Sequence, residues 1–167
     1  MQILPAHVPE HLPTIRRLFE TYAAEIQVDL CFQGFAAELA SLPSHYAPPG
    51  GRLFLAREGD TSAGCAALRP LEGKRCEMKR LYVCPPWRRQ GIGRRLALAA
   101  LDAARAIGYQ RMRLDTLPSM QAALGLYRAL GFQEIAAYRH NPVPGAVFME
   151  LVLAQPGSPV PAPPPRP

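Results

Sequence analysis

The sequence contains no apolar run long enough to cross a membrane, although hydrophobic residues make up 49% of its 167 positions. A membrane-spanning helix needs about 20 consecutive apolar residues. The first residues, Met1 to His7, also lack the basic and then apolar order of a secretory signal. These absences predict a soluble, cytoplasmic protein, and the length fits one domain with a substantial core.

Metal-binding and disulfide patterns are also missing. None of the four cysteines belongs to a Cys-x-x-Cys pair or lies near a pair of histidines. His7 and His11 are four residues apart, but Pro9 between them argues against a shared helical face. No metal site and no covalent cysteine nucleophile are therefore expected. The cysteines, which we expect to be small buried thiols, are Cys31, Cys65, Cys76 and Cys84.

Two common phosphate-binding motifs are absent as well. No run matches Gly-x-x-x-x-Gly-Lys-Ser/Thr, and Leu96 stands where a dinucleotide fingerprint needs its third glycine. A strand pattern runs instead from Cys76 to Val83, and a helical pattern runs from Ile92 to Gly108. The residues between them include Arg88-Arg89-Gln90-Gly91-Ile92-Gly93. Glycines that turn the chain tightly at a helix N-terminus favour a bound phosphate.

The distribution of charge agrees with an anionic ligand. The net charge is +6, and acidic residues are few in the rest of the sequence. Six cations crowd the segment around the glycine loop, more than a single phosphate needs. The charge therefore predicts a ligand with several phosphates rather than a nucleic acid. The six cations are Lys79, Arg80, Arg88, Arg89, Arg94 and Arg95.

The other hydrophobic patterns predict an alternation of helices and strands. Helices are expected at 10–26, 35–42 and 120–130, the last with Ser119 as its N-cap. Further strands are expected at 52–58, 62–71, 111–116, 132–139 and 147–153. The first two should precede the strand at 76–83 in an antiparallel arrangement, and 111–116 should run parallel to it because a helix connects the two. Residues 155–167 are rich in proline and predict an extended, mobile tail.

Two motifs resemble those of a known family. Arg88-x-x-Gly91-x-Gly93 looks like the acetyl-CoA signature of the GNAT superfamily of acyltransferases, and 123–132 resembles the family's second recognisable run. The resemblance covers most of residues 1–154, the expected domain. It implies an α/β (α+β) GNAT fold: a mixed sheet of about six to seven strands with a splayed parallel central pair and helices on both faces.

The resemblance also implies where acetyl-CoA, the expected co-substrate, would bind. The pantetheine arm would lie along the backbone of Leu81, Tyr82 and Val83, and the amide of Val83 would stabilise the oxyanion of a tetrahedral intermediate. Met120 stands where many members have an asparagine, so Ser119 is expected to supply a substitute contact. The pyrophosphate would lie on the loop residues, which are Arg88, Arg89, Gln90, Gly91, Ile92, Gly93 and Arg94.

Two residues match the family's catalytic positions. Glu77 corresponds to a glutamate that takes a proton from the amine, and it shares a face with Val83 if no bulge intervenes. Tyr127 corresponds to the acid that protonates the departing thiolate. The alternatives are that Glu77 only pairs with a neighbouring cation and that Tyr127 is a half-buried aromatic. Asp115 is a second candidate acid or base.

Residues that would contact the acceptor are less well defined. The loop with His140-Asn141 could line the acceptor site together with Tyr22 and Phe32, although ordinary turn chemistry also explains that loop. Arg69 and Arg80 could bind the carboxylate of an acidic acceptor or could be solvated charges.

The expected function is transfer of an acetyl group from acetyl-CoA to a primary amine, by direct attack in a ternary complex. A CoA-binding sensor without turnover is the alternative, and the presence of both Glu77 and Tyr127 favours the enzyme. A nucleic-acid-binding protein is disfavoured because Trp87 is the only aromatic residue among the arginines. A small molecule or peptide is the expected partner, with no membrane partner and a possible homodimer.

Overall fold

The computed structural model describes residues 1–153, so the predicted proline-rich tail lies outside the described residues. Seven strands form one sheet: β1 (Gln2–Pro5), β2 (Arg52–Glu58), β3 (Thr61–Leu71), β4 (Arg75–Val83), β5 (Arg111–Thr116), β6 (Gln133–Ile135) and β7 (Val147–Val152). Four α-helices accompany it: α1 (Leu12–Ile26), α2 (Phe35–Ser41), α3 (Ile92–Ile107) and α4 (Gln121–Ala129). None of the helices in residues 1–153 combines the length and apolar character needed to cross a membrane.

The strands are ordered β1-β2-β3-β4-β5-β7-β6, and every neighbouring pair except β4 and β5 is antiparallel. The predicted antiparallel arrangement before the loop and the parallel central pair are therefore confirmed. β4 and β5 pair only where 75–77 face 111–113. Both strands continue beyond that point, to Val83 and Thr116, without pairing with each other. The expected splay of the central pair is thus present.

Helices cover both faces of the sheet, as expected. On one face, α3 and α4 contribute Leu96, Leu124 and other residues to a core that includes Met112 of β5. On the other face, α1 contributes Phe19 to a second core built on β2 and β3, which includes Leu53. A packed helical layer on each side of the sheet buries both faces of β2 and β3, which explains their long apolar stretches.

A β-bulge interrupts β4 at Arg80. This residue has a positive φ of 56°, and the register with β3 shifts between Cys65 and Ala67. Before the bulge, Met78 packs in the core beside α3; after it, Val83 packs against that same core. Glu77 alternates with Met78 and therefore points to the opposite face. Because the bulge intervenes, Glu77 and Val83 lie on opposite faces of the sheet, and the prediction that they share a face was wrong.

Two boundaries differ from the sequence prediction. The N-cap of α4 is Met120 and makes no side-chain capping bond, so the prediction of Ser119 as N-cap was wrong. The strand predicted at 132–139 ends at Ile135. It ends there because Tyr138 and Arg139 turn inward to hydrogen-bond carboxylates of β4 and β5 instead of a neighbouring strand.

Candidate active site

The separation of β4 and β5 opens a cleft that passes between the two faces of the sheet. Tyr22 of α1 lines it from one face, and Tyr127 of α4 lines it from the other. The space between its walls, including the part open to solvent, is about 580 Å³. The remaining lining residues are Ile26, Val28, Leu30, Phe32, Gln33, Met78, Lys79, Arg80, Leu81, Asp115, Thr116, Leu117, Met120 and Asn141.

The glycine loop leads from the end of β4 into α3. Arg89 and Gly91 both have positive φ, of 62° and 76°, and α3 begins immediately afterwards. The first bond along α3 joins the amide of Arg95 to the carbonyl of Gly91 at 3.1 Å. The amides of Ile92, Gly93 and Arg94 precede it and have no acceptor within the helix. They lie at the positive end of a helix, which is a favourable environment for a phosphate.

The six cations predicted around this loop do not all lie there. Lys79 and Arg80 line the cleft, so that part of the prediction was wrong. The bulge and the burial of β4 direct both side chains inward. Arg95 donates to the carbonyl of Met1 at 3.2 Å. Arg88 donates to Glu25 and, at 2.9 Å, to the carbonyl of Val83. Arg89 and Arg94 are exposed beside the loop.

The backbone beyond the bulge has one free edge. The amide of Cys84 donates to the carbonyl of Ala63 in β3 at 2.9 Å. Because successive peptide groups of a strand point to opposite sides, the amide of Val83 points away from β3 and toward the gap left by β5. The side chain of Tyr82 lies on the α1 face, where its hydroxyl donates to Glu25 Oε2 at 2.8 Å.

Tyr127 lines the cleft from the side of α4. Its side chain is 7% exposed and packs on Phe132 with ring centroids 5.7 Å apart. Its hydroxyl makes no hydrogen bond to another group of residues 1–153. Burial raises the pKa of Tyr127, and the negative groups Tyr22 and Asp115 add to that effect when ionised. The phenol therefore keeps its proton at neutral pH and can donate it.

Glu77 is fully buried and does not line the cleft. Arg69 donates to its Oε2 at 2.7 Å, while Tyr138 donates to its Oε1 at 2.7 Å. Arg139 lies 3.2 Å from the same Oε1. Both carboxylate oxygens are thus occupied by donors from β3 and from the segment after β6. This geometry favours the alternative in which Glu77 pairs with neighbouring arginines.

Asp115 is the carboxylate that faces the cleft. Arg139 donates to its Oδ1, and Asn141 Nδ2 donates to its Oδ2 at 2.9 Å. Burial alone would raise the pKa of Asp115, but the nearby positive charges of Arg139 and Lys79 hold this pKa below its usual value. The carboxylate is therefore ionised at neutral pH. Arg139 joins it to Glu77, so one network extends from β3 to the cleft.

Lys79 was not proposed as an acceptor-site residue from the sequence. Its side chain is 6% exposed, and its Nζ donates to Gln33 Oε1 at 2.9 Å. Burial lowers the pKa of Lys79 to about 7, against the opposing effect of Glu77 and with the help of nearby arginines. The available signal was a lysine inside an otherwise buried strand, since lysine is rarely buried without a partner.

Other predicted residues divide between the cleft and the surface. Phe32 and Asn141 line the cleft with Tyr22, as expected for an acceptor site, whereas His140 is exposed and does not line it. Ser119 is exposed at the start of α4. Arg80 binds Glu38 through two nitrogens, so it is not a solvated charge. Across residues 1–153, no group of three or more His, Cys, Asp and Glu side chains could hold a metal ion.

Comparisons with known proteins agree with this geometry. A sequence model of the acetyltransferase (GNAT) family matches residues 15–132. An uncharacterised N-acetyltransferase of Schizosaccharomyces pombe is 37% identical over 157 residues, which are 93% of this chain and 96% of the yeast protein.

Solved structures show the same fold. An acetyltransferase of the GNAT family from Staphylococcus aureus superimposes with a TM-score of 0.76 at 18% identity, over 92% of this chain and 99% of that one. An acetyltransferase of Bacillus subtilis, solved in complex with CoA, has a TM-score of 0.54 at 24% identity, over 62% of this chain and 78% of that one.

Proposed function

The chain belongs to the acetyltransferase (GNAT) family, and we propose that it transfers an acetyl group from acetyl-CoA to a primary amine by direct attack in a ternary complex. The main observation in support of this proposal is the cleft, which is lined by Tyr22 on one face of the sheet and by Tyr127 on the other. A donor bound on the α3 and α4 side can therefore meet an acceptor bound on the α1 side without a covalent enzyme intermediate.

The donor site consists of the free edge of β4 and the glycine loop. In this proposal the pantetheine arm of acetyl-CoA lies in the gap beside β5 and pairs with the backbone of Leu81 and Val83. Arg89, Gln90 and the first amides of α3 bind the pyrophosphate in this proposal. The CoA complex of the Bacillus subtilis relative supports the choice of ligand. In the gap, the amide of Val83 would stabilise the oxyanion that forms as the amine attacks.

Two side chains manage the protons. Attack forms the C–N bond and makes the amine nitrogen strongly acidic, so Asp115 can accept its proton although the pKa of this carboxyl is lowered. Breakage of the C–S bond leaves a thiolate, to which Tyr127 donates its proton before recovering one from solvent. Glu77 serves as a positioning residue, because its partner Arg139 also holds Asp115. Catalytic groups inside the cleft favour this enzyme over a CoA-binding sensor.

The Tyr127→Phe variant tests the acid. Thiol release from acetyl-CoA with a panel of amines, with mass spectrometry of the N-acetyl product, should show kcat reduced about 100-fold. The KM for acetyl-CoA should stay within about twofold, because the hydroxyl acts only as the C–S bond breaks. Tyr109→Phe is the matched control, since Tyr109 is buried outside the cleft and bonds the carbonyl of Gly50. An unchanged kcat in Tyr127→Phe would remove Tyr127 from the mechanism.

Asp115→Asn tests the proton acceptor. The amide keeps the shape but cannot take a proton, so kcat should fall about 100-fold or more with every amine that the wild type acetylates.

Intersecting initial-velocity lines with acetyl-CoA and amine would support a ternary complex, whereas parallel lines would contradict it. If Glu77→Gln lowered kcat further than Asp115→Asn while remaining folded, the roles given to these two carboxylates would have to be exchanged.

A further inference from the structure

The cleft contains three charged side chains, and two of them are already neutralised. Arg80 is bound by both oxygens of Glu38, and Asp115 is bound by Arg139. Lys79 differs, because no carboxylate of residues 1–153 lies within ion-pairing distance of its Nζ. The cleft therefore presents one cation whose counter-charge is not supplied by the described chain.

Lys79 also has unused hydrogen-bonding capacity. An ammonium group has three N–H donors, and the one identified partner is Gln33 Oε1. Glu77 lies two positions earlier on the same face of β4, but Arg69, Tyr138 and Arg139 occupy its oxygens. A buried cation without an anion is unfavourable because burial removes its hydration. An anion brought into the cleft by a ligand would offset that loss.

We propose that the acceptor carries a carboxylate as well as its amine, and that Lys79 binds this carboxylate. This inference rests on the proposed function and names the acceptor class, a small amino acid. A single carboxylate matches one ammonium with two remaining donors, while a phosphate dianion would call for a second unpaired cation. The apolar wall formed by Ile26, Val28 and Leu30 would contact the rest of the acceptor.

The chain offers a matched control for this site. Lys79 and Lys74 are its only two lysines, and Lys74 is exposed in the turn before β4. Lys79→Met removes the positive charge in the cleft and keeps the apolar stem, whereas Lys79→Arg keeps the charge. Lys74→Met removes the positive charge of the exposed lysine and serves as the control. Lys79→Met is expected to fold, since an apolar side chain of similar volume replaces a buried charge.

The kinetic test uses matched acceptors: L-amino acids, their carboxamides and O-phosphoethanolamine. The wild type should prefer each acid over its carboxamide by about 10-fold or more in kcat/KM, the effect of one charge-assisted hydrogen bond. Lys79→Met should bring that ratio close to one, Lys79→Arg should retain part of it, and Lys74→Met should leave it unchanged. Equal use of acids and carboxamides by the wild type, or preference for the phosphate, would overturn the proposal.

A second pattern would also overturn it. If Lys79→Met reduced kcat equally for acids and carboxamides and left KM unchanged, Lys79 would be a proton acceptor rather than a carboxylate ligand. Failure of all amines to react would instead count against the proposed function, and the carboxylate site would then be tested by binding alone.

The binding test follows the lysines directly by NMR. Protein labelled with ¹³C at the lysine ε-carbons gives two lysine signals, which Lys74→Met assigns. An amino acid added with CoA should raise the titration midpoint of Lys79 by about one pH unit, because an anion beside an ammonium favours its charged form. The midpoint of Lys74 should not move. An unchanged midpoint for Lys79 with every amino acid at saturating CoA would refute carboxylate binding whether or not turnover occurs.

Discussion

Glu77 and Lys79 are two residues apart on one face of β4, and both are nearly or fully buried. Their surroundings differ sharply. Glu77 receives donors from Arg69, Tyr138 and Arg139 on its two oxygens. Lys79 has one neutral partner, the amide oxygen of Gln33, and faces the cleft. On the same strand, the carboxylate of Glu77 has a complete set of hydrogen-bond partners, whereas the ammonium of Lys79 does not.

The contrast distinguishes a structural charge from a binding charge. Removal of one member of a saturated buried network leaves its partners charged and uncompensated, so the network holds its elements in place. The Glu77 network ties β3 and β4 to the segment after β6, and through Arg139 it also fixes Asp115. An unsaturated buried charge contributes little to folding but gains much from a ligand of opposite charge.

The largest expected effect is the loss of Glu77. Glu77→Ala should lower the free energy of unfolding by about 3 kcal/mol, because it leaves the partly buried Arg69 without a counter-charge and Arg139 with Asp115 alone. Urea unfolding measures this through the midpoint at constant m-value. Lys79→Met, two residues away, should leave the stability equal to or above that of the wild type.

A surface ion pair provides the reference for this comparison. Arg128 and Glu134 are each more than half exposed, so Glu134→Ala should change the free energy of unfolding by less than about 1 kcal/mol. If Glu77→Ala were no more destabilising than Glu134→Ala, or if Lys79→Met were the more destabilising of the two buried changes, the distinction between a structural and a binding charge would fail.

Local sequence patterns were sufficient for most of the fold. The strand that ends before Pro85, the glycine loop and the helix from Ile92 were each predicted from their own residues, and the crossover helix implied the parallel pair. The splay of that pair came from the family resemblance, since separation of strands is not encoded by the periodicity of either one. The end of β6 was missed because its cause is tertiary: Tyr138 and Arg139 bind carboxylates on other strands.

The bulge at Arg80 limited the prediction of the site. A single extra residue in a strand moves every later side chain to the opposite face of the sheet. No glycine in the sequence marks the bulge. Counting residues along β4 therefore predicted Glu77 and Val83 on the same face. Lys79 was counted with the cations of the glycine loop because it lies close to them in the sequence. Tyr22 and Asn141 were candidates for the acceptor site from the sequence, and both line the cleft together with Tyr127.

The smallest expected effect is a pH dependence that only the unsaturated charge should produce. Burial lowers the pKa of Lys79 to about 7, so the ammonium that binds a carboxylate is lost as the pH rises through that value. Affinity for an N-acetylamino acid, the expected product, should therefore fall about 5-fold between pH 6 and pH 8, or roughly 1 kcal/mol, if binding raises the pKa of Lys79 by about one unit. Calorimetric titration at saturating CoA measures it, and the product has no amine to confuse the titration.

Several charged groups surround Lys79 and must be separated from it. They are Glu77 and Arg80 on β4, Arg69 on β3, Asp115 on β5 and Arg139 after β6. The pKa of Asp115 is lowered, and the pKa values of Arg80 and Arg139 are raised, so these three groups keep their charge while the Lys79 ammonium is expected to titrate between pH 6 and pH 8. Lys79→Arg should consequently bind with the same affinity at both pH values. A fall in affinity that persisted in Lys79→Arg would assign the titration to another group and would remove the pH evidence for a binding charge on β4.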